Sequence, residues 1–427
     1  MKPDIKRKRL LFALGGVMSI VVGGVLLRSC NFSSDRGNNS IPHPSPDPIR
    51  SATVSQPTIS VSPPNQVSPS LQTGDVSSNS SVKLLNQPTA VPDWFKQQSL
   101  AMPSRNQAKW GQSISYKPKQ PPQFVKDPQL QSVVEDILKL VRNKSLPTKN
   151  LSIVLVDAST NKFAGYQQEI PHFPASVAKM FWLVALHGQI NQEMWNNSKA
   201  FDPFITKMMQ ESDNNSSSFI IDLMTDAHSS KANLNTEEFQ TWIAKRKFYI
   251  NSYFQQAGYQ SVNVTQKTYP IPYLNLQEPK GNELQVRLDP NNPAKKPIRN
   301  QVSTIDAARL MYEVCHSKQS VNQQFSERMC GFLKRDINPK SWKSIKKEDF
   351  NPIETFFGES LPSKNTDFFS KAGWTSNSRQ EVAMIRMLDR QKEYILAIFA
   401  EDPQYAKSKN IFPEISKLAY QKLHSKK

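Results

Sequence analysis

Residues 172–188 read HFPASVAKMFWLVALHG, and this stretch decides how the rest of the chain is interpreted. Pro174 stands directly before an apolar run that continues to Gly188, a pattern that predicts a buried helix. Ser176 lies at the start of this helix, and Lys179 follows one turn later on the same face. Free N–H groups and the positive end of the helix dipole at this terminus can stabilise an oxyanion. The stretch therefore predicts a nucleophilic serine with a lysine as its base.

A serine followed three residues later by a lysine is a weak signal alone, because the chain holds four such pairs. Ser80 lies in a Pro/Ser-rich stretch, Ser159 in a polar turn and Ser344 in a charged loop. Only Ser176 begins a buried helix, where apolar neighbours desolvate Lys179 and favour its neutral amine. The structural alternative is an N-capping serine beside a lysine that keeps its ammonium group in water.

Two further motifs follow in an order that fits a single pocket. Ser212-Asp213-Asn214 lies in a polar break between apolar helical stretches, so its hydroxyl and amide can both point into a cleft. Lys371-Ala372-Gly373 lies at the end of a predicted strand, before the C-terminal hairpin. The lysine presents a positive charge to an anionic substrate, and the glycine lets a substrate backbone approach the strand edge. A helix cap and an edge lysine beside a turn glycine are the structural alternatives.

Together, the three motifs resemble those of the class A β-lactamase and penicillin-binding-protein (serine DD-peptidase) superfamily, over about residues 150–425. Local patterns agree with an α+β fold, in which an antiparallel sheet is built from both chain ends. An amphipathic helix is predicted over 128–143 and a strand over 151–157. A hairpin is predicted over 381–388 and 393–400. Helical patterns between these strands predict flanking helices and a helical subdomain.

The resemblance implies a role for each matching residue. Ser176 attacks an amide or lactam carbonyl and becomes acylated, while Lys179 accepts the serine proton. Ser212 relays a proton to the leaving nitrogen, and Asn214 holds the amide side chain of the substrate. Lys371 binds the substrate carboxylate. These roles make Ser176, Lys179 and Ser212 candidate catalytic residues, and Asn214 and Lys371 candidate substrate-binding residues.

Two more positions are assigned by the same resemblance. The backbone N–H groups of Ser176 and Trp374 form the oxyanion hole, and Arg379 stands near the position of a carboxylate-binding arginine. Gly373, from its place at the strand edge, is a further candidate substrate-binding residue. Ala372 departs from the family, which has Thr or Ser there to help bind a β-lactam carboxylate.

The base that releases the acyl group is the open point in the sequence. Class A β-lactamases carry a Glu-Pro-x-x-Asn loop, and Glu278-Pro279-Lys280-Gly281-Asn282 reproduces that pattern. Glu278 is therefore the candidate deacylating base, although it follows Asn214 by 64 residues (278 − 214), which is longer than usual. The run GYQSVNVTQKTYPIP instead aligns Tyr269 or Pro270 with the glutamate. Glu278 on an exposed loop insertion is the structural alternative.

The leading functional hypothesis is class A β-lactamase-like hydrolysis of β-lactam amide bonds. One alternative is a peptidoglycan D-Ala-D-Ala carboxypeptidase or transpeptidase acting on stem peptides. The other is an inactive wall-binding module, favoured by the departures from the family and by a charge of +8 after residue 126 (18 − 5 − 5, with +5 each in residues 1–30 and 31–126). The expected protein is a monomer that needs no cofactor or metal. The three cysteines form no zinc signature, and no motif for nucleic acid is present. Cys315 and Cys330 are either disulfide-bonded or free thiols.

The N-terminal residues predict location. Residues 1–30 combine a basic head with an uncharged run at 10–27, which is long enough for a single-pass membrane anchor and places the catalytic domain on the extracytoplasmic (periplasmic) side. A cleaved signal peptide is the competing interpretation. Residues 31–125 are rich in Pro and Ser and predict a disordered linker, followed by the hydrolase domain at 126–427.

Overall fold

The computed structural model describes residues 90–97, 100–114, 121–288 and 297–425. The predicted membrane anchor at 10–27 and most of the predicted linker lie outside these residues. Within the described part of the chain, no helix combines the length and the apolar character needed to cross a membrane.

A seven-stranded sheet forms the centre of the domain, with strand order β1-β3-β2-β9-β8-β7-β6. Neighbouring strands are antiparallel, except that the short β1 runs parallel to β3. The first long strand lies beside the last, with Leu151 opposite Ala400, so the sheet is built from both chain ends as predicted. β4 and β5 form a separate two-stranded sheet. The strands are β1 Val125–Lys126, β2 Leu151–Asp157, β3 Lys162–Tyr166, β4 Pro171–His172, β5 Val302–Ser303, β6 Lys334–Arg335, β7 Thr366–Thr375, β8 Ser378–Met387 and β9 Lys392–Ala400.

Helices cover both faces of the large sheet, and shorter 3-10 turns and two π-helical turns connect them. The helix predicted over 128–143 is confirmed with the same bounds. The α-helices of the described residues are α1 Asp93–Lys96, α2 Pro128–Asn143, α3 Ala178–Asn191, α4 Asp202–Gln210, α5 Asn214–Thr225, α6 Thr236–Arg246, α7 Ser252–Gln256, α8 Asn282–Arg287, α9 Thr304–Met311, α10 Gln323–Leu333, α11 Pro339–Trp342, α12 Pro403–Lys407 and α13 Ile411–His424.

Two apolar cores lie on opposite faces of the sheet because successive strand residues point in opposite directions. In β2, Ile153 and Leu155 pack with α2 and α13, whereas Val154 and Val156 pack with α3 and the helical subdomain. α3 is buried from Ala178 to Ile190 on every side. A helix that is apolar all round belongs inside a domain, so α3 fixes the position of Ser176 against the sheet.

The ordered domain begins earlier in the chain than predicted. Residues 90–97 and 100–114 pack onto the helical subdomain, so the expectation of a linker that continues to residue 125 is wrong at its C-terminal end. Phe95 is only 5% exposed, and its ring centroid lies 4.8 Å from that of Phe204. Arg105 donates to Asp226 at 2.8 Å, and Trp110 stacks on Tyr249. A few aromatic side chains anchor a segment whose overall composition is that of a linker.

Phe95→Ala is expected to lower the free energy of unfolding by about 3 kcal/mol, since large-to-small changes at buried aromatic positions cost that much. Urea denaturation of a purified protein that spans residues 90–427 measures this. The control is Leu100→Ala in the same segment, where the side chain is 40% exposed and the cost should be small. Equal stability of the Phe95 variant and wild type would contradict the packing of this segment.

Cys315 and Cys330 form a disulfide. It joins the π-helical turn Tyr312–His316 to α10, and both cysteines are buried. Of the two states left open by the sequence, the structure therefore has the bonded one.

Candidate active site

The nucleophile segment is a strained turn that leads into α3. A 3-10 turn, Ala175–Val177, precedes the helix, and Ala175 has φ +46°, a left-handed conformation that is uncommon for a residue with a Cβ. Such strain persists where the surrounding structure imposes it, and it is concentrated at functional sites. Ser176 itself is half-buried, so its hydroxyl lies at a surface that a substrate can reach.

Lys179 connects two of the motifs predicted from the sequence. Its Nζ lies 2.9 Å from Ser176 Oγ, 2.7 Å from the carbonyl oxygen of Ser212 and 2.7 Å from Asn214 Oδ1. It also lies 3.4 Å from Ser212 Oγ. The structure therefore brings Ser176, Lys179, Ser212 and Asn214 together, as the motif order indicated.

The environment of Lys179 favours its neutral form. The residue is fully buried, and this burial lowers the pKa of Lys179 to about 7, while the Asp213 carboxylate raises it in part. A neutral amine can donate two hydrogen bonds, one to the Ser212 carbonyl and one to Asn214 Oδ1. Its lone pair is then free to accept a hydrogen bond from the Ser176 hydroxyl. The geometry is that of a base poised to take the serine proton.

Ser212 lies in a break between α4 and α5, as predicted. Its φ is +56°, a second strained position. The Asp213 side chain caps α5 by accepting from the Ser216 N–H at 2.6 Å, which leaves Ser212 outside the helix. The resulting bend directs both the carbonyl and the hydroxyl of Ser212 toward Lys179.

Lys371, on β7, is the last of four polar side chains in contact, after those of Ser176, Lys179 and Ser212. Its Nζ donates to Ser212 Oγ at 3.0 Å and to the carbonyl of Ala372 at 2.8 Å. Burial lowers the pKa of Lys371 well below its ordinary value, and the nearby Lys179 and Arg335 add to this effect. A proton can thus move between Lys179, Ser212 and Lys371 over short distances.

Arg335 holds this arrangement from behind and was not singled out from the sequence. It is 5% exposed and donates to the carbonyl oxygens of Met209 and Ser370 and to Gln210 Oε1. Because α4 ends at Gln210 and Ser370 precedes Lys371, one guanidinium fixes the spacing between the two motifs. Basic residues are frequent in this chain, so no local signal distinguished this one.

Thr268 is a second residue that the sequence did not reveal. Its hydroxyl donates to Asn214 Oδ1 at 2.8 Å, the same oxygen that accepts from Lys179. Two donors on Oδ1 fix the orientation of the amide, so Nδ2 is the group of Asn214 that is left to donate to a ligand. Thr268 is therefore a positioning residue that acts through Asn214.

Thr268→Val is expected to slow acylation by about 3- to 10-fold, because one hydrogen bond that orients Asn214 is lost. The effect should be larger for benzylpenicillin than for 6-aminopenicillanic acid, which lacks the acylamide side chain that Asn214 is expected to hold. Thr268→Ser keeps a hydroxyl and should restore the wild-type ratio of the two rates. An equal loss for both compounds would indicate a merely structural role.

Gly373 lies where the backbone of β7 comes close to the backbone of the Ser176 segment. A Cβ at this position would lie 2.9 Å from the carbonyl oxygen of Pro174 and 3.0 Å from the amide nitrogen of Ser176. The backbone of the Pro174–Ser176 segment therefore approaches Gly373 closely, and contact of Gly373 with a substrate backbone stays a prediction. The contact holds the edge of β7 beside the Ser176 amide, which is where an oxyanion hole shared with the Trp374 amide is predicted.

Arg379 is not placed for substrate binding, so that prediction is wrong. It lies opposite Trp374 in the hairpin, and both side chains are on the sheet face away from Lys371 because side chains alternate along a strand. Its guanidinium donates to the carbonyl oxygens of Thr355 and Ala406 and stacks against Phe356. The Trp374 indole also donates to Ala406, so only the backbone of Trp374 remains a candidate for the site.

Glu278 is exposed and makes no hydrogen bond or ion pair with any described residue. The structure therefore does not support it as the deacylating base. The neighbouring Asn282 and Glu283 are buried and anchor the loop, with Glu283 paired to Arg246 at 2.8 Å. The Glu-Pro-x-x-Asn pattern therefore begins in an exposed turn at Glu278 and ends at the buried first residue of α8, Asn282.

No carboxylate accepts a hydrogen bond from Ser176, Lys179, Ser212 or Lys371 within the described part of the chain. Tyr269, aligned above with the family's glutamate, has its ring 5.8 Å from the Arg287 guanidinium. The site therefore holds the groups needed to acylate a serine, without an evident base for water among the described residues.

A serine beside a buried lysine at the head of a buried helix, next to a strand that carries a second lysine, defines the serine hydrolases that form an acyl-enzyme. The chain belongs to the β-lactamase enzyme family, whose model matches residues 202–423. That match spans Ser212, Asn214 and Lys371 and begins after the nucleophile segment.

Solved structures similar to this chain include a β-lactamase from Sphaerobacter thermophilus DSM 20745 (13% identity, 68% of this chain and 96% of that chain covered, TM-score 0.46). Another is a mutant of PBP-A in an acyl-enzyme complex with penicillin G (15% identity, 71% and 100% covered, TM-score 0.47). A third is a representative class A β-lactamase from Bacteroides cellulosilyticus DSM 14838 (14% identity, 70% and 100% covered, TM-score 0.45). No curated protein matches the sequence.

Proposed function

We propose that this protein is a peptidoglycan D-Ala-D-Ala peptidase or transpeptidase that is acylated at Ser176 and is trapped by penicillin as a long-lived acyl-enzyme. The observation that carries the proposal is the make-up of the site: the Ser176–Lys179 pair is surrounded by hydroxyl, amide and carbonyl groups, and no described carboxylate is hydrogen-bonded to it. Acylation and deacylation need different bases, and only the first is evident among the described residues.

Acylation follows from the distances. The neutral amine of Lys179 takes the proton of Ser176 Oγ, 2.9 Å away, as this oxygen attacks the carbonyl carbon. The amides of Ser176 and Trp374 stabilise the developing oxyanion. The proton then passes from Lys179 through Ser212 Oγ to the leaving nitrogen, while the Lys371 amine 3.0 Å from that oxygen stabilises the transfer.

Rapid hydrolysis, the leading hypothesis from the sequence, requires a further base that activates water against the acyl group. Glu278 is the residue assigned to that task, and its exposed position argues against it. Asp213 is the carboxylate that raises the pKa of Lys179, yet its side chain is held at the N-terminus of α5 by the Ser216 amide. A persistent acyl-enzyme is the expected consequence with β-lactams.

A location outside the cytoplasm suits this activity. The apolar run at 10–27 supports a membrane anchor. The Cys315–Cys330 disulfide supports folding of the domain in an oxidising compartment, where peptidoglycan is found.

A pre-steady-state assay of residues 90–427 with a chromogenic cephalosporin tests the proposal. The expected result is a burst equal to one product per enzyme, followed by slow turnover. Intact-protein mass spectrometry should then find a penicillin adduct that persists for many minutes. Multiple rapid turnovers would establish a β-lactamase instead, and a complete lack of acylation would favour the inactive wall-binding module.

A further inference from the structure

A buried histidine lies shortly before Ser176 in the chain and has no part in the acylation chemistry described above. His172, on β4, is 4% exposed. Its Nε2 lies 2.7 Å from Ser152 Oγ on β2, and its Nδ1 lies 3.1 Å from Glu401 Oε2, just after β9. Ser152 is completely buried, so no substrate can reach its hydroxyl. The Ser152–His172–Glu401 group is therefore an anchor inside the fold and not a second hydrolytic triad.

The hydrogen bonds of this group are all satisfied when His172 donates from both ring nitrogens. The single hydrogen of the Ser152 hydroxyl goes to the carbonyl oxygen of Gln167, 2.7 Å away, since a carbonyl can only accept. Ser152 Oγ then accepts from Nε2–H, and the Glu401 carboxylate accepts from Nδ1–H. His172 in this state is an imidazolium paired with Glu401, so a charge-assisted hydrogen bond fixes β4 to the end of the large sheet.

Gln380 holds the same segment from β8. Its side chain is completely buried and lies opposite Gly373 in the hairpin. Its Nε2 donates to the carbonyl oxygen of Phe173 at 2.9 Å. Gly373 in turn lies close to the carbonyl oxygen of Pro174. The backbone just before Ser176 is thus held against β2, β7 and β8.

These contacts impose the strained conformation of Ala175. A φ of +46° is unfavourable for a residue with a Cβ and persists where the surrounding structure imposes it. On the C-terminal side, α3 is buried on every side and keeps its place. On the N-terminal side, His172 and Phe173 are the fixed points. If His172 is released, the turn can relax, and the hydroxyl of Ser176 moves relative to Lys179, whose position α3 maintains.

We propose that His172 is a positioning residue for acylation, which holds the turn at Ala175 so that the Ser176 hydroxyl points at Lys179. The inference rests on the proposed acylation of Ser176. His172 touches no reacting atom and acts through the backbone of residues 173–176. A displaced nucleophile changes the rate of bond formation much more than the affinity for a ligand that has not yet reacted, since near-attack geometry enters only the chemical step.

The test measures the acylation rate constant and the dissociation constant of the pre-covalent complex, by rapid mixing of the purified full-length protein with a chromogenic cephalosporin at several concentrations. His172→Phe fills the same space without a donor. Its acylation rate constant should fall by about 10- to 100-fold, while the dissociation constant should change by less than about 3-fold. His172→Gln retains an N–H donor for Ser152 and should react at least about 3-fold faster than His172→Phe.

The size of the product burst counts the folded, active protein. A smaller burst with a normal rate constant would therefore reveal a merely structural role and overturn the proposal. Glu401→Gln gives a second measurement if His172→Phe does not fold, because the Glu401 side chain is 37% exposed and tolerates the change. It removes the charge that faces His172 and should lower the acylation rate constant by about 2- to 5-fold. An unchanged rate constant in the folded variants would also overturn the proposal.

The matched control is His316→Phe. His316 Nδ1 is 2.6 Å from Glu393 Oε2, so this variant removes a histidine–carboxylate pair of the same kind, and no hydrogen bond or ring contact joins it to the described residues 172–176. Its acylation rate constant should equal that of the wild type, and an equal fall in the control would contradict the positioning role. If the wild type is not acylated at all, the proposed function fails. Normal wild-type acylation with an unaffected His172→Phe defeats only the positioning role.

Discussion

Ser176→Ala is expected to eliminate covalent labelling by penicillin while the protein stays folded. The hydroxyl is the atom that Lys179 Nζ faces at 2.9 Å, and alanine removes it without changing the helix that follows. Ser176 is half-buried at the start of α3, so the loss of one oxygen leaves little space unfilled. Labelling should fall below detection, because no other nucleophile among the described residues of the site is paired with a base in this way.

The chain supplies its own controls for this result. Ser159 and Ser344 each precede a lysine by three residues, so Ser159→Ala and Ser344→Ala preserve the acylation site while removing look-alike motifs. Both variants should label at the wild-type rate, as measured by intact-protein mass spectrometry after a short exposure to benzylpenicillin. A persistent adduct on the Ser176 variant would move the nucleophile elsewhere.

Lys179→Met should lower the rate of acylation by about 10²- to 10⁴-fold, the usual contribution of a general base. Methionine has a similar length and no charge, so it suits the buried position and the protein should remain folded. The rate constant for formation of the penicillin adduct measures the loss. Lys139→Met, at an exposed position on α2, is the control for a lysine-to-methionine change and should acylate normally.

The pH dependence of wild-type acylation tests the same assignment. The amine must be unprotonated to accept the serine proton, and burial lowers its pKa to about 7. The rate should therefore rise with pH through about 7 and level off above it, and it should fall about tenfold per unit at lower pH. A rate that is flat between about pH 5 and 8 would show that Lys179 is not the base.

The sequence predicted the sheet well because its strands are marked by local patterns. The apolar run at 151–157 and the hairpin at 378–400 need no distant partner to be visible, and the helix at 128–143 is marked by its amphipathic period. Residues 90–114 were misjudged for the opposite reason. Their stability comes from a few contacts such as Phe95 against Phe204, and composition does not record such contacts.

The same distinction applies to single side chains in the site: local motifs located some of them, and tertiary contacts determined the positions of others. Motif order was enough to bring Ser176, Lys179, Ser212, Asn214 and Lys371 into one pocket, because each motif lies at the end of a recognisable element. Arg379 was assigned by its distance along the chain from Lys371, and strand alternation places its side chain on the opposite face of the sheet. Glu278 matched a sequence pattern whose structural setting is an exposed turn.

By itself, the sequence determined that Ser176 and Lys179 lie together, since a helix start places residues three apart on one face whatever the rest of the chain does. Only the tertiary structure decided which other groups surround them. Thr268 and Arg335 come from distant parts of the chain, and folding brings them to the site. No described carboxylate is hydrogen-bonded to Ser176 or Lys179, and this too is a property of the folded pocket. A base must lie close to the reacting group in a suitable environment, and a local motif specifies neither its distance nor its burial.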